Sequence, residues 1–139
     1  MKRTVLAAAA LTLVAVLAAV SQTASVPKHK VVFQMSEPEK SWDSLISHVT
    51  NLRKAFEKDG SQVEVVFFGD GLDMILKKDT AYEEGLKRLA DSGVTLAACQ
   101  NAMRFRNVKT EDLFPFVTQV DSGVAELTRK QEAGWSYIH

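Results

Sequence analysis

The run Val63-Glu64-Val65-Val66-Phe67-Phe68 does most to narrow what this chain can fold into. It is β-branched or aromatic throughout, interrupted only by Glu64. A strand with one wet face alternates apolar and polar residues; an unbroken apolar strand is buried on both faces. Such strands belong to parallel sheets, whose crossover helices lie over the sheet.

The rest of the sequence repeats that logic. Val31 to Met35 is a first β-rich run, and Ser36-Glu37-Pro38 breaks it. Ser41 then opens a helix whose apolar residues Trp42, Leu45, Ile46, Val49, Leu52 and Phe56 share one face, with Asp59-Gly60 as its stop. After Val63 to Phe68, the Gly69-Asp70-Gly71 turn leads into a short amphipathic piece carrying Leu72, Ile75 and Leu76. Thr80 and Glu83 have the spacing of a capping box, for a helix with Tyr82, Leu86 and Leu89 inward and Ser92-Gly93 at its end. Val94 to Cys99 reads as the third buried strand, followed by a short helical piece from Asn101 and a loop through Asn107.

Thr110 to Leu113 makes a brief turn halted by Pro115, and Phe116 to Val120 a fourth strand. Asp121 or Ser122 caps a last helix that buries Val124 and Leu127 and ends at Gly134. Trp135 to Ile138 is a fifth, short strand at an edge. Strands alternating with helices give right-handed βαβ units. The fold class is therefore α/β, a three-layer α/β/α sandwich with a mostly parallel sheet of about five strands.

The N-terminus has a separate character. Met1-Lys2-Arg3 is basic, and Val5 to Val20 is apolar except for Thr12. The run is short for a bilayer span, and small residues follow it at Ala19-Val20-Ser21 and Thr23-Ala24-Ser25. This is the pattern of a secretory signal over residues 1–24, leaving residues 25–139 as one domain in the periplasm, with no membrane segment after cleavage. An uncleaved anchor is the competing reading. No cysteine lies in the stretch, which excludes a lipoprotein anchor.

Charge removes other classes. The chain carries 17 basic and 17 acidic side chains, and losing Lys2 and Arg3 leaves it slightly acidic. Without a long basic cluster, nucleic acid is not an expected partner. Apolar periodicity through most of the sequence excludes disorder. The histidines, His29, His48 and His139, form no i, i+4 pair with another ligand, and no second cysteine completes a metal site. With no C-x-x-C, G-x-S-x-G or phosphate-loop pattern, neither metal nor organic cofactor is expected.

That leaves one cysteine. An exported protein usually pairs its cysteines or has none, so Cys99 is either packed and inert or kept for reactivity. Open parallel sheets bind ligands beyond the carboxyl ends of their strands, and Cys99 ends the third. A thiol before a helix start feels the positive end of the dipole, and Arg104 and Arg106 are near enough in sequence to add charge. Ala97-Ala98-Cys99 is equally compatible with small residues packing a strand, and both readings stand. The candidate substrate-binding residues around Cys99 are Asn101, Arg104, Arg106 and the Gly69-Asp70-Gly71 turn, whose backbone N–H groups suit an anion. The bland reading of that turn is strand-to-helix geometry, and of the Lys77-Lys78 and Arg104/Arg106/Lys109 groups, solvated surface.

The segment Val94 to Val108 resembles the cysteine segment of the DsrE/DsrF-like sulfur-relay proteins. In both, an apolar strand ends in cysteine, here Cys99; an arginine follows seven residues later, Arg106; and an apolar residue comes two beyond it, Val108. The Gly69-Asp70-Gly71-Leu72 turn is similar to that family's second strand-helix junction, and Asp121 to Ile138 resembles the C-terminus of its exported branch. The resemblance implies a flavodoxin-like sheet, homotrimeric or homohexameric assembly, and a cysteine that carries sulfane sulfur as a persulfide between donor and acceptor thiols or proteins. Cys99 inherits that sulfurtransferase-type carrier role by position. Relay members work in the cytoplasm, in contrast to the export signal here. Some members of the fold are non-catalytic subunits, so a structural or ligand-binding oligomeric subunit with an inert Cys99 is the alternative.

Overall fold

The computed structural model describes residues 28–78 and 81–139. The stretch read as a secretory signal lies outside them, as does Thr80 of the expected capping box.

Five strands form one sheet: β1 (His29–Met35), β2 (Ser61–Phe67), β3 (Thr95–Cys99), β4 (Thr118–Val120) and β5 (Ser136–Ile138). All neighbours are parallel, in the order β4-β3-β2-β1-β5. From β1 the chain steps outward through β2 and β3 to β4, then returns past the start to lay β5 on β1's free edge. The fold is the expected three-layer α/β/α sandwich, flavodoxin-like in outline. Val63 to Phe67 is buried on both faces, and so is the interrupting Glu64, 4% exposed.

Helices α1 (Trp42–Ala55) and α2 (Glu83–Asp91) cover one face. Trp42, Leu45 and Val49 of α1 and Leu86 and Leu89 of α2 pack there with Phe33, Val65, Phe67 and Leu96 of the sheet. The 3-10 segment Gly69–Ile75 adds Leu72, Met74 and Ile75 to the same core. Gly71 permits this, because a Cβ there would lie 2.2 Å from the Met35 carbonyl oxygen. Among the described residues, the helix over the other face is α4 (Gly123–Glu132), through Leu127 on Val32 and Val66.

Several local expectations are corrected. Val124 was expected inward and is 65% exposed, because α4 meets the sheet along a narrow stripe centred on Leu127. The fourth strand is shorter than Phe116 to Val120, beginning only at Thr118. Ser41 precedes α1 but makes no capping bond, since a 3-10 turn over Glu39–Ser41 already leads the chain in. Ser122, in contrast, caps α4 by accepting the Ala125 N–H at 3.4 Å. Among the described residues no helix is long and apolar enough to cross a membrane.

Candidate functional site

Cys99 is the last residue of β3 and the N-cap of the short helix α3 (Gln100–Phe105). The cap position leaves the first helical N–H groups without intrahelical partners, and a serine or aspartate oxygen usually takes one. Here sulfur does so. Sγ accepts the Ala102 N–H at 3.4 Å and, from across the sheet edge, the Gly123 N–H at 3.1 Å. Two amide donors from the starts of two helices converge on one sulfur atom. The residue is 5% exposed.

Gly123 is required by space. A Cβ on it would stand 2.7 Å from Cδ1 of Phe68 and 3.3 Å from Cβ of Cys99. With only hydrogen at this position, the start of α4 settles between the phenyl ring and the cysteine, and its amide reaches the sulfur.

The arginines take other partners. Arg106 places Nη2 2.6 Å from Asp73 Oδ2 and donates from Nη1 to the Gly69 carbonyl at 3.0 Å. Lys78 completes the cluster, its Nζ 3.1 Å from Asp73 Oδ1. Burial alone would raise the Asp73 carboxyl, but hydrogen bonds from Arg106 and Lys78 outweigh it and hold the group below the usual carboxylate range. Arg106 is thus a brace between the end of α3 and the turn after β2, half-buried, not the solvated surface that its basic neighbourhood suggested. Arg104 donates to Asn101 Oδ1 on the exposed side of α3.

Within the Gly69-Asp70-Gly71 turn, the Asp70 N–H is taken by the Ser36 carbonyl at 3.2 Å, and the Asp70 side chain is exposed. The structure therefore joins Gly69 to Arg106 and Asn101 to Arg104. The hydrogen bonds on the sulfur come from Ala102 and Gly123, two residues not singled out in the sequence. Gly123 follows a capping serine and reads there as helix start only. Among the described residues no group of three or more His, Cys, Asp or Glu side chains is placed to hold a metal ion.

The model of the DsrE/DsrF-like family matches residues 7–139. The chain belongs to that family. A protein of unknown function from Methanobacterium thermoautotrophicum, MTH1491, superimposes with a TM-score of 0.73 at 32% identity, covering 79% of this chain and 97% of that one. BT1422 from Bacteroides thetaiotaomicron, a conserved protein of unknown function, gives a TM-score of 0.64 at 16% identity over 78% of this chain and 92% of its own. The ychN protein from E. coli gives 0.64 at 14% identity, with 79% and 97% covered. The last two likenesses speak for the fold alone. No curated protein matches the chain.

Proposed function

We propose that this member of the DsrE/DsrF-like family is an exported sulfur carrier that holds sulfane sulfur as a persulfide on Cys99. The observation that carries the reading is the pair of amide N–H groups, from Ala102 and Gly123, on Sγ. Sulfur exchange runs through thiolates, and amide donors on the resting sulfur stabilise that charge.

In the loading step the Cys99 thiolate attacks the outer sulfur of a donor persulfide or polysulfide. One S–S bond forms and one breaks; a persulfide donor leaves as a thiolate and a polysulfide as the anion one sulfur shorter, so there is no net oxidation. In the unloading step an acceptor thiolate attacks the outer sulfur of the Cys99 persulfide and returns Cys99 as the leaving thiolate. Donor and acceptor are small thiols or proteins, the working assembly is a homotrimer or homohexamer, and the apolar stretch over residues 1–24 directs the chain to the periplasm.

Intact mass after incubation with polysulfide tests the reading. The wild-type chain gains one sulfur atom that a reductant removes, and Cys99→Ser gains none; an unmodified wild-type mass overturns it. The burial of Cys99 favours a second reading, a non-catalytic subunit with a packed thiol. That reading predicts a sulfur inert to polysulfide and to iodoacetamide in the native state, and a Cys99→Ser chain altered only in stability.

A further inference from the structure

We propose that α4 is a cover over Cys99, held shut from its far end by Lys130 acting on Glu64. The proposal rests on the reading of Cys99 as a thiol that must meet other sulfur atoms, and it concerns how that thiol is reached. In-line attack on a second sulfur needs more access than a residue 5% exposed offers. The first residue of α4 closes part of the surroundings, since Gly123 fills the gap between Phe68 and Cys99 and bonds to Sγ.

α4 is weakly fastened to the body of the protein. Of its residues only Gly123 and Leu127 are buried. Arg129 pairs with Asp121 and Glu126, contacts that stay inside the segment and hold it together without tying it to the sheet. Besides Gly123 and Leu127, α4 meets the sheet through Lys130, the cation over a buried carboxylate. Its Nζ lies 2.5 Å from Glu64 Oε2, 3.5 Å from Glu126 Oε1 and 4.2 Å from the centre of the Trp135 ring. Glu64 sits mid-strand on β2, in register with Val32 on one side and Thr95 on the other, its side chain 6% exposed.

A buried carboxylate without its cation must find water or a proton. Water reaches Glu64 when α4 lifts. The chain changes direction at both ends of the helix: Ser122 is extended, and Gly134 takes φ +80° where an added Cβ would meet nothing. β5 beyond it is exposed in all three residues but stays paired with β1, with the Tyr137 hydroxyl donating to Gln34 Oε1 at 2.8 Å, so the movement is of α4 between Ser122 and Gly134. The segment can undock while the α1/α2 face stays packed. Lys130 is then a positioning residue, acting on the sulfur through the amide of Gly123.

The test measures two quantities on the full-length protein at pH 8: the rate of Cys99 alkylation by iodoacetamide, and amide hydrogen exchange at Gly123 and along α4. Lys130→Met is expected to speed alkylation by about tenfold or more and to accelerate exchange in α4, while β1, β2 and β3 keep their protection. Glu64→Gln combined with Lys130→Met removes both charges and is expected to return both readouts to within about twofold of wild type. Lys130→Gln is the milder second variant, expected to move both readouts in the same direction by less. The proposal is overturned by wild-type rates in the Lys130 variants, by an equal loss of protection in β1 to β3, or by a double variant as fast as Lys130→Met. Alkylation reads access without sulfur chemistry. A chain that refuses polysulfide yet shows this pattern keeps the cover and loses the carrier reading; one that loads sulfur without the pattern does the reverse.

Discussion

On the face covered by α1 and α2, Phe33, Val65 and Phe67 of the sheet meet Leu45, Val49, Leu86 and Leu89, with Leu72, Met74 and Ile75 filling the end of the layer. On the opposite face the buried apolar set is Val32, Val66 and Leu127, flanked by half-buried Phe68, Val120 and Trp135. The first face has the continuous apolar area that offsets the chain entropy of folding. The second mixes a thin apolar stripe with a buried carboxylate, a lysine and a thiol. One face holds the sheet together, and the chemistry lies where there is less packing to disturb.

Truncations on the two faces break that comparison most directly. Phe67→Ala removes a fully buried ring from the thick face and is expected to cost about 3–5 kcal/mol, with protection lost throughout the sheet. Leu127→Ala removes the one large side chain that α4 buries and is expected to cost about 2 kcal/mol, with protection lost in α4 before β1 to β3. Urea midpoints give the two costs and hydrogen exchange their location. Equal costs with the same exchange pattern would mean that the faces do not differ in this way.

The sequence shows the thick face far better than the thin one. Val63 to Phe68 and the three-and-four spacing from Trp42 to Val49 are continuous signals, because each apolar residue must repeat to cover a layer. The edge position of the last strand and the place of Cys99 at a strand end follow from the same alternation. Val124 misleads because a helix packed through a single leucine leaves its other apolar residues outside, and helical spacing alone does not reveal how wide the contact is. The donors on Sγ are invisible for another reason: they are backbone groups, and the amide of Gly123 meets a residue distant in the chain. Glu64 does leave a trace, as the one charge in a strand that is otherwise apolar, but its partner Lys130 can be found only once α4 is seated.

Gly123→Ala is the next largest expected effect and bears on the thin face alone. The new methyl would meet Phe68 Cδ1 at 2.7 Å, so either the ring or the start of α4 must move. The expected cost is about 1–2 kcal/mol, with the N–H of residue 123 withdrawn from the sulfur. Alkylation of Cys99 by iodoacetamide is expected to speed up, as in Lys130→Met, because the start of α4 no longer closes over the sulfur. Mass spectrometry of the alkylated protein measures the rise. An unchanged rate would show that Gly123 serves the fold and not access to the sulfur.

The smallest effects set two carboxylates against each other, Asp73 beside the thick face and Glu64 under the thin one. Burial raises Glu64, although the hydrogen bond and charge of Lys130 oppose it; Glu126 pushes the same way as burial, while β1 and β3 present Val32 and Thr95. Between the ordinary glutamate value and this raised one, the native state holds a proton that the unfolded chain has released, so stability falls as pH rises through that window. Asp73 is lowered instead: its contribution is present above the ordinary aspartate value and is lost as pH falls toward the lowered one. Asp73→Asn is therefore expected to cost about 1 kcal/mol at pH 7, a deficit that closes in acid. Glu64→Gln is expected to cost less, about 0.5 kcal/mol or below, and to flatten the decline above the ordinary glutamate value. Urea midpoints of both variants and wild type across pH 3–8 separate the two, because their differences from wild type should change in opposite directions with pH. Parallel changes would mean that Glu64 is held like Asp73, by its partners more than by its burial, and the thin face would lose the electrostatic feature that most sets it apart.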